Sequence, residues 1–400
     1  MSSAERAGLR PKGNVPTLRF PEFTDEWISC KVGDYGKIIT GSTPPTSDNT
    51  NYADGTHLWA SPVDLGQTKY VIDTQTKLSS IGFGKTRKLP AGSVLVTCIG
   101  STIGKTGMAA TEMSTNQQIN SIVVNAQNDK HFVYYALQSR FPRYLTSVAV
   151  QAVPIMSKSS FEKLQNYRTT FKEQKKIGAL LNLIDERIST QSRIIEELKL
   201  YRNTLVFRLL TPKDKWLRLS IGDVAHVIGG GTPDTNIEDY WNGNIQWYTP
   251  SEIGKKKYVT ESERTLTQKG LDNSSAKLLP PNTILLSTRA TIGECSIAKQ
   301  ECCTNQGFQS LIATSVTPEF LYYLIQTKRR DLLSKASGST FAEISANEVR
   351  RIHICIPATA TEQEIIVRPL SAYDEKIETE YKMLHLFKMQ KQYLLSHMFI

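Results

Sequence analysis

A glycine-rich segment, Gly100–Thr106, is the part of the sequence closest in appearance to a nucleotide-binding motif. A phosphate-binding P-loop places four residues between two glycines, so that successive backbone N–H groups surround the phosphates. Only three residues separate Gly100 from Gly104, and a related segment, Arg289–Glu294, lacks both the lysine and the glycine spacing. We therefore expect no ATP site here, and instead a β-turn whose Lys105 is available to contact a nucleic acid.

Other catalytic motifs are missing from the sequence. There is no Asn/Asp-Pro-Pro-aromatic tetrapeptide of the kind that amino-methylating enzymes use, and no glycine-rich loop after an N-terminal strand for a methyl donor. The six cysteines form no Cys-x-x-Cys pair and the six histidines have no ligand spacing. These patterns predict buried or unreactive thiols and no metal site. The sequence therefore indicates binding rather than catalysis.

Short polar and basic segments are the candidates for binding. The net charge of +10 permits binding to a polyanion without requiring it. Two Gly-x-Thr-Pro elements, Gly41–Pro44 and Gly230–Pro233, offer hydroxyl groups to phosphates or base edges, with a purely structural turn as the alternative. Basic clusters suit phosphates or a plain solvated surface, and Arg289 suits guanine or an ion pair. The candidate nucleic-acid contacts are Ser42, Thr43, Lys85, Arg87, Lys88, Lys105, Thr232, Lys255, Lys256, Lys257, Thr288 and Arg289.

These elements occur in pairs because the chain contains one unit twice. Gly41–Pro44 recurs 189 residues later as Gly230–Pro233, and Thr102–Gly104 recurs 189 residues later as Thr291–Gly293. A dozen such matches keep the same order, and their spacing drifts by only one residue. Agreement of this extent excludes coincidence and predicts a tandem duplication.

Two long helices are predicted, one after each copy. From Glu173–Leu209, and again over the last forty residues, apolar side chains alternate at steps of four and three, which is the a/d pattern of a coiled coil. The polar exceptions also correspond, Gln191 and Arg202 in the first helix and Glu380 and Lys391 in the second. The residues predicted to pair the helices include Ile177, Leu181, Ile184, Ile188, Ile195, Leu198, Ile377, Leu384, Phe387 and Leu394.

Each helix would be unstable alone with one apolar stripe exposed, so we expect the two to pack together. Antiparallel packing would give the duplicated chain an internal two-fold axis, and parallel packing is the alternative. Pro212 should end the first helix, whereas Pro369 should kink the second or delay its regular start until about Leu370.

Turn-rich segments between short β-branched runs precede each helix. Runs such as Ser93–Cys98 and Thr283–Ser287 predict strands, and Phe132–Ser139 and Glu319–Arg330 predict helices. The predicted fold class is α+β, with two tandem-repeated strand-rich domains separated by two long helices that pair as an antiparallel coiled coil. The predicted boundaries are a loose tail at 1–16, domains at 17–168 and 213–356, and helical spacers at 169–212 and 357–400.

With this order of elements the chain resembles the specificity subunits of type I restriction-modification systems. The resemblance covers residues 17–400 and adds an opening Leu18–Phe23 with Trp27 to the paired Gly-x-Thr-Pro, Leu-Pro…Val-Leu, Thr-Ile-Gly, Asn-Gln and Glu-Gln elements. It implies that each strand-rich domain is a target recognition domain for one half of a split DNA sequence. It further implies that the helices fix the gap between the halves and dock other subunits.

The resemblance also implies partners and cofactors. The expected partners are double-stranded DNA, two modification subunits that methylate adenine, and two restriction subunits that translocate and cleave DNA. S-adenosylmethionine, ATP and Mg²⁺ are expected on those partners, and no cofactor on this non-catalytic chain. Because the two domains differ outside the shared motifs, the target should be asymmetric.

The sequence also predicts the location of the protein and leaves a second function open. No apolar run is long enough to span a bilayer and no signal peptide is visible, so a cytoplasmic protein without membrane partners is expected. The competing interpretation is a coiled-coil interaction scaffold with two protein-binding β-rich modules.

Overall fold

The computed structural model describes residues 13–147, 155–289, 291–336 and 343–400. The chain divides into two compact units, each built from one copy of the repeat and part of each long helix. Unit 1 comprises Met1–Arg193 and Lys382–Ile400, and unit 2 comprises Ile194–Tyr381. Most of the predicted tail at 1–16 lies outside the described residues.

Strands dominate the first part of unit 1. They are β1 Ile28–Lys31, β2 Gly36–Thr40, β3 His57–Ala60, β4 Tyr70–Val71, β5 Lys77–Leu78, β6 Val94–Thr97, β7 Thr106–Ala109, β8 Ser114–Thr115, β9 Ile119–Val124 and β10 Gln165–Arg168. Helices α1 Ser80–Gly84, α2 Lys130–Ser147 and α3 Lys158–Glu162 precede the long helix α4, Phe171–Leu209. In the described part of the unit, the main sheet has the order β2-β9-β6-β7-β4, a smaller sheet has the order β5-β3-β8, and β1 pairs with β10.

Unit 2 repeats this strand topology. Its strands are β11 Leu217–Ser220, β12 Ala225–Gly229, β13 Trp241–Tyr248, β14 Tyr258–Val259, β15 Arg264–Leu266, β16 Ile284–Leu286, β17 Cys295–Ala298, β18 Cys302–Thr304, β19 Gln309–Ala313 and β20 His353–Ile356. Its helices are α5 Ile221–Val224, α6 Gln268–Asp272, α7 Pro318–Thr327, α8 Arg329–Lys335, α9 Ala346–Arg350 and the long α10, Ala360–His397. The sheets have the orders β12-β19-β16-β17-β14 and β15-β13-β18, and β11 pairs with β20.

The central strands form where the sequence is β-branched and continuously apolar. Every residue of β6 is buried, as is every residue of β16, because α2 or α7 and the smaller sheet cover them. The predicted strands Ser93–Cys98 and Thr283–Ser287 are therefore confirmed, each one residue shorter at both ends. The predicted helices at Phe132–Ser139 and Glu319–Arg330 correspond to α2 and to α7 with α8.

The long helices α4 and α10 pack together, and the antiparallel direction is visible in each unit separately. In unit 1, the Lys391 ammonium lies 2.7 Å from the Asp185 carboxylate, and Phe387 lies beside the Leu183–Gln191 segment. In unit 2, the Arg202 Nε lies 2.9 Å from the Asp374 carboxylate. One turn earlier in α4, the Lys199 ammonium lies 5.2 Å from the centre of the ring of Tyr381, which is later in α10. The predicted α+β fold with two paired helices is therefore confirmed.

The residues predicted to pair the helices all lie on the covered sides. Ile177, Leu181, Ile184, Ile195 and Leu384 are buried, whereas Ile188, Leu198, Ile377, Phe387 and Leu394 are half-buried.

Pro369 neither ends α10 nor delays its start. The helix begins at Ala360, so the alternative of a regular start near Leu370 is wrong. Gln363, Ile366 and Leu370 are all buried, and their packing holds the first three turns in place although proline lacks an N–H donor.

A glutamine at the start of each long helix attaches that helix to its own domain. The Gln174 Oε1 accepts from the backbone N–H of Asp129, and the Gln363 Oε1 accepts from that of Thr317, each at 2.9 Å. These backbone groups stand at the starts of α2 and α7, where N–H groups lack partners within the helix. The repeated Glu-Gln element is thus a structural joint between helix and domain.

Candidate nucleic-acid interface

The Gly-x-Thr-Pro loops have the same construction in both units. A Cβ at Gly41 would lie 2.0 Å from the Asn116 carbonyl oxygen, and a Cβ at Gly230 would lie 2.0 Å from the Asn305 carbonyl oxygen. Only glycine therefore fits at this approach of two backbones. Each following residue is held by a tryptophan: the Trp59 Nε1 donates to the Ser42 carbonyl at 3.0 Å, and in unit 2 the Trp247 Nε1 donates to the Gly231 carbonyl at 2.9 Å.

An Asn-Gln turn lies beside each loop. The Asn116 Oδ1 accepts from the Gln118 backbone N–H at 3.0 Å, and the Asn305 Oδ1 accepts from the Gly307 N–H at 2.9 Å. This side-chain-to-backbone turn places Gln117 in unit 1, and the matching glutamine of unit 2, at an exposed tip.

A hydroxyl group orients each of these glutamines. The Thr43 Oγ1 donates to the Gln117 Oε1, and the Thr232 Oγ1 donates to the Gln306 Oε1. The two sites therefore present the same threonine–glutamine pair at the protein surface. The Gly-x-Thr-Pro pattern predicts the threonines but not the glutamines, for which the repeated Asn-Gln dipeptide is the available signal.

The groups around the pairs differ between the units. In unit 1 the Arg87 backbone N–H donates to the Ser42 Oγ at 3.2 Å, and its exposed guanidinium donates to the Thr40 carbonyl at 2.8 Å. In unit 2 the corresponding loop residue is Gly231, which lies against Ser275 and Ala276. The structure thus brings Ser42, Thr43 and Arg87 together, with a cation beside the unit 1 pair.

The remaining basic candidates of unit 1 are exposed side chains with local partners. The Lys85 ammonium donates to Asp48 at 3.2 Å and to Asn51 at 2.8 Å, and the Lys88 ammonium lies 5.0 Å from the centre of the Phe83 ring. Lys105 is exposed in the turn between β6 and β7. That connection joins two antiparallel strands, as expected for a β-turn, whereas a P-loop leads from a strand into a helix.

Burial corrects two candidates of unit 2. Thr288 is fully buried, and its hydroxyl donates to the Gly307 carbonyl at 3.2 Å, so it is not available to DNA. The Lys257 ammonium donates inward, to the Ser371 hydroxyl at 2.8 Å. Both were assigned from their neighbours in sequence, which do not reveal the direction of a side chain. Lys255 and Lys256 are exposed.

Arg289 forms the ion pair that was its alternative interpretation. Its Nη2 donates to both carboxylate oxygens of Glu343, at 2.9 and 2.8 Å. The pair is only half-buried, so the guanidinium is still accessible at the surface.

An exposed arginine on a tryptophan is a binding candidate that sequence reasoning missed. The Arg264 guanidinium lies 3.4 Å from the centre of the Trp241 ring, and Trp241 packs edge-to-face on Trp247 at 5.1 Å. Stacking fixes the plane of the guanidinium while its N–H donors stay accessible, a geometry that suits planar recognition of guanine or phosphate. Two tryptophans spaced along one strand were the available signal.

A buried polar cluster occurs in both units on the other side of the main sheet. In unit 1 the Tyr135 hydroxyl donates to the Asp185 carboxylate at 2.6 Å and accepts from the Lys69 ammonium at 3.0 Å. In unit 2 the Tyr323 hydroxyl donates to the Asp374 carboxylate at 2.5 Å and accepts from the Lys257 ammonium at 3.2 Å. Each cluster therefore connects a strand-rich domain to a long helix.

The cluster is closed by a second cation in each unit, Lys391 in unit 1 and Arg202 in unit 2. Burial lowers the pKa of Lys69 to about 8, with the Asp185 carboxylate opposing that shift. Burial likewise lowers the pKa of Lys257. Lys391 and Arg202, two of the polar residues that interrupt the apolar pattern of the helices, thus supply charged groups that attach each long helix to its strand-rich domain.

The described residues contain no group of three or more His, Cys, Asp or Glu placed to hold a metal ion. The cysteines form no disulfide there, and burial raises the pKa of Cys98 and Cys295 to about 12, so both thiols stay protonated. Across the described ranges, no helix combines the length and apolar content needed to cross a membrane.

Comparison with known proteins gives a consistent answer over most of the chain. The family described as type I restriction modification DNA specificity domain matches residues 24–200 and again 213–385. The chain is 37% identical over 194 residues to the type I restriction enzyme MjaIX specificity subunit of Methanocaldococcus jannaschii, a match that covers 47% of this chain and 44% of that relative. It is 29% identical over 163 residues to the EcoR124I/EcoR124II specificity subunit of Escherichia coli, covering 39% of this chain and 40% of the relative.

The fold as a whole is also found in a solved structure. The crystal structure of the type I restriction-modification system S subunit from M. genitalium superposes with a TM-score of 0.61, covering 96% of this chain and 99% of that one, at 15% sequence identity. At that identity the likeness concerns the fold alone. The two curated relatives are each matched over less than half of their own length.

Proposed function

We infer the function from the family: this chain belongs to the type I restriction modification DNA specificity family, and we propose that it is the DNA-recognition subunit of a type I restriction-modification complex. The observation that carries the proposal is the paired occurrence of the family domain, each copy with an exposed threonine–glutamine pair on a rigid loop. The subunit itself performs no catalytic step.

Each domain would recognise one half of a split, asymmetric target. The two scaffolds share topology, loop glycines and tryptophans, so the domains should bind DNA in the same manner. Their exposed cations differ, with Arg87 beside the pair in unit 1 and the stacked Arg264 in unit 2. Two domains that share a scaffold but expose different hydrogen-bond donors are expected to recognise two different half-sites.

The helices α4 and α10 would set the gap between half-sites and dock two modification subunits. Both helices keep apolar side chains exposed at equivalent positions, Ile194 with Met383 and Leu200 with Met389. Leu200 and Met389 are 67% and 55% exposed, so each helix offers apolar side chains that a partner subunit could cover. One equivalent patch on each repeat fits two copies of the same partner.

The catalytic steps belong to the partners in this proposal. Two modification subunits would carry S-adenosylmethionine and methylate adenine, and two restriction subunits would carry ATP and Mg²⁺ for translocation and cleavage. The complex would act on double-stranded DNA in the cytoplasm.

Methylation mapping tests the recognition proposal directly. The segment 213–356 is replaced by that of a relative with a different sequence, the chain is expressed with its partner subunits, and the genome is sequenced for methylated adenine. One half-site should change while the other stays the same. A change in both halves, or no methylation that depends on this chain, would contradict the proposal.

Lengthening both helices tests their role as spacer. Seven residues are inserted between Gln191 and Ile195 and seven between Glu380 and Leu384, which preserves the apolar pattern. At 1.5 Å per residue the helices lengthen by about 10 Å, which corresponds to about three base pairs. The mapped target should keep both half-sites and gain a longer gap, whereas an unchanged gap would rule out the spacer role.

A further inference from the structure

The threonine–glutamine pairs have a chemical polarity that limits what they can bind. The threonine hydroxyl occupies the Oε1 of Gln117 in unit 1 and of Gln306 in unit 2. Among the described residues, neither glutamine Nε2 donates to a protein acceptor, and both side chains are exposed. Each pair therefore offers two N–H donors to an outside acceptor.

Each pair is also held rigidly before any ligand binds. The loop before the threonine is fixed by a glycine in close backbone contact and by a tryptophan N–H, and the glutamine sits on an asparagine-stabilised turn. A side chain fixed in this way loses little conformational entropy on binding. The construction is that of a binding group rather than of a mobile surface residue.

The pairs are identical in the two units, whereas their immediate neighbours are not. Ser42 in unit 1 is replaced by Gly231, and Gln118 is replaced by Gly307. A donor that stays the same in two domains with different half-sites matches a feature that both half-sites contain. The sugar-phosphate backbone is such a feature, and its oxygens are acceptors.

We propose that Gln117 and Gln306 each donate a hydrogen bond to a DNA phosphate, at equivalent places in the two half-sites, with Thr43 and Thr232 as positioning residues. The inference rests on the proposed DNA-recognition function and names one sequence-independent contact of it. Discrimination between bases then falls to groups that differ between the units.

The test compares affinities of the assembled complex with its modification subunits. Fluorescence anisotropy is measured on the mapped target duplex, on duplexes with either half-site scrambled, and on an unrelated duplex. Gln117→Ala and Gln306→Ala should each weaken binding to all of them by a similar factor, roughly tenfold or more, because each removes a hydrogen bond to a charged phosphate. The salt dependence should keep its slope, because no charge has been removed.

Matched variants separate a contact from a general effect. Gln127→Ala removes an exposed glutamine in the turn before α2 and should leave affinity unchanged. Thr43→Val should weaken binding by a smaller factor than Gln117→Ala, because the amide is then free to rotate. Thr43→Ser restores the hydroxyl and should restore the affinity.

Two results would overturn the inference. A loss confined to duplexes that carry one particular base pair would make the glutamine a base contact, and unchanged affinity in both alanine variants would exclude any contact. Failure of the proposed function itself has a different signature, in which the wild-type complex shows no preference for any mapped target.

Discussion

The two units close their cores with different chain connections. In unit 2, α4 continues through the buried Leu210 and the partly buried Trp216 directly into β11. In unit 1 the corresponding position brings together two segments that are distant in sequence: Phe399 packs against Trp27 in the core that also contains Met398, and the Leu18 N–H donates to the His397 carbonyl at 2.9 Å. The equivalent core is therefore completed by a continuous peptide chain in unit 2 and by noncovalent packing of two separate segments in unit 1.

Burial of equivalent side chains, and not continuity of the peptide chain, therefore completes the hydrophobic core of each unit. Trp27 packs on Phe132 with ring centres 5.6 Å apart, and Trp216 packs on Phe320 at 6.4 Å. The equivalent tryptophan thus keeps its neighbour although its chain connection differs. Unit 1 should consequently depend on its last residues in a way that unit 2 does not.

Deletion of Met398–Ile400 should have the largest effect. It removes two large buried side chains and the carbonyl to which Arg140 donates at 2.5 Å, at a cost on the order of 5 kcal/mol or more. Hydrogen exchange followed by mass spectrometry should show loss of protection in unit 1 alone. Phe207→Ala, at a phenylalanine that is 74% exposed near the end of α4, is the control and should change little. Equal loss in both units would contradict the comparison.

Glu173→Gln should be the next most severe change. Glu173 is fully buried and accepts from the Arg19 Nε and Nη2 at 2.7 and 2.8 Å, so the substitution leaves the cation uncompensated and costs about 3 kcal/mol. Its counterpart Glu362 is exposed, and Glu362→Gln should stay within about 0.5 kcal/mol. Thermal unfolding measures both. Similar melting temperatures for the two variants would show that the opening segment stabilises unit 1 less than its contacts indicate.

The contribution of Lys69 to the stability of unit 1 should rise between about pH 8 and 10.5. Burial lowers the pKa of Lys69 from its ordinary value of 10.5 to about 8, so in this window the unfolded chain holds a proton that the folded chain has released. The gain is on the order of 1 to 3 kcal/mol. Urea unfolding across the window should show that the free energy of unfolding of the wild type increases relative to that of Lys69→Met; the opposing loss from the buried Cys98 thiol is common to both proteins. Parallel profiles would exclude Lys69 as the source.

Tyr135→Phe and Tyr323→Phe should have smaller and nearly equal effects. Each removes one hydroxyl that links a buried lysine to a helix aspartate, at about 1 to 2 kcal/mol. Tyr201→Phe, at a 62% exposed tyrosine, is the control and should be neutral. Urea midpoints compare the three variants. A clear loss in only one of the two buried variants would show that the joints are not equivalent.

Much of the architecture was predictable from the chain because duplication supplied an internal comparison. The β-branched runs predicted β6 and β16 to within one residue at each end, and the heptad pattern predicted both long helices. At Pro369 only the predicted delay of the helix start was wrong, because burial of the neighbouring residues keeps α10 helical from Ala360 onward. Propensity is a weak term that packing overrides.

The candidate site was predictable only in part. Thr43 and Thr232 were identified because glycine and proline mark their loops, whereas their partners lie 74 residues further along the chain. Lys257 and Thr288 were misassigned because a basic cluster and a strand end do not show whether a side chain faces solvent. The stacking of Arg264 on Trp241 required the register of β13 against β15.

The sequence alone determined the repeat, the class of secondary structure and the apolar stripe of each helix, since these follow from residue order and local periodicity. Only the tertiary structure decided which polar side chains are buried between a domain and a long helix and which remain at the surface. Lys69 and Lys257 turn inward because a tyrosine hydroxyl and a helix aspartate are brought to them from distant parts of the chain. Burial of a charge depends on such partners, and only folding brings them together.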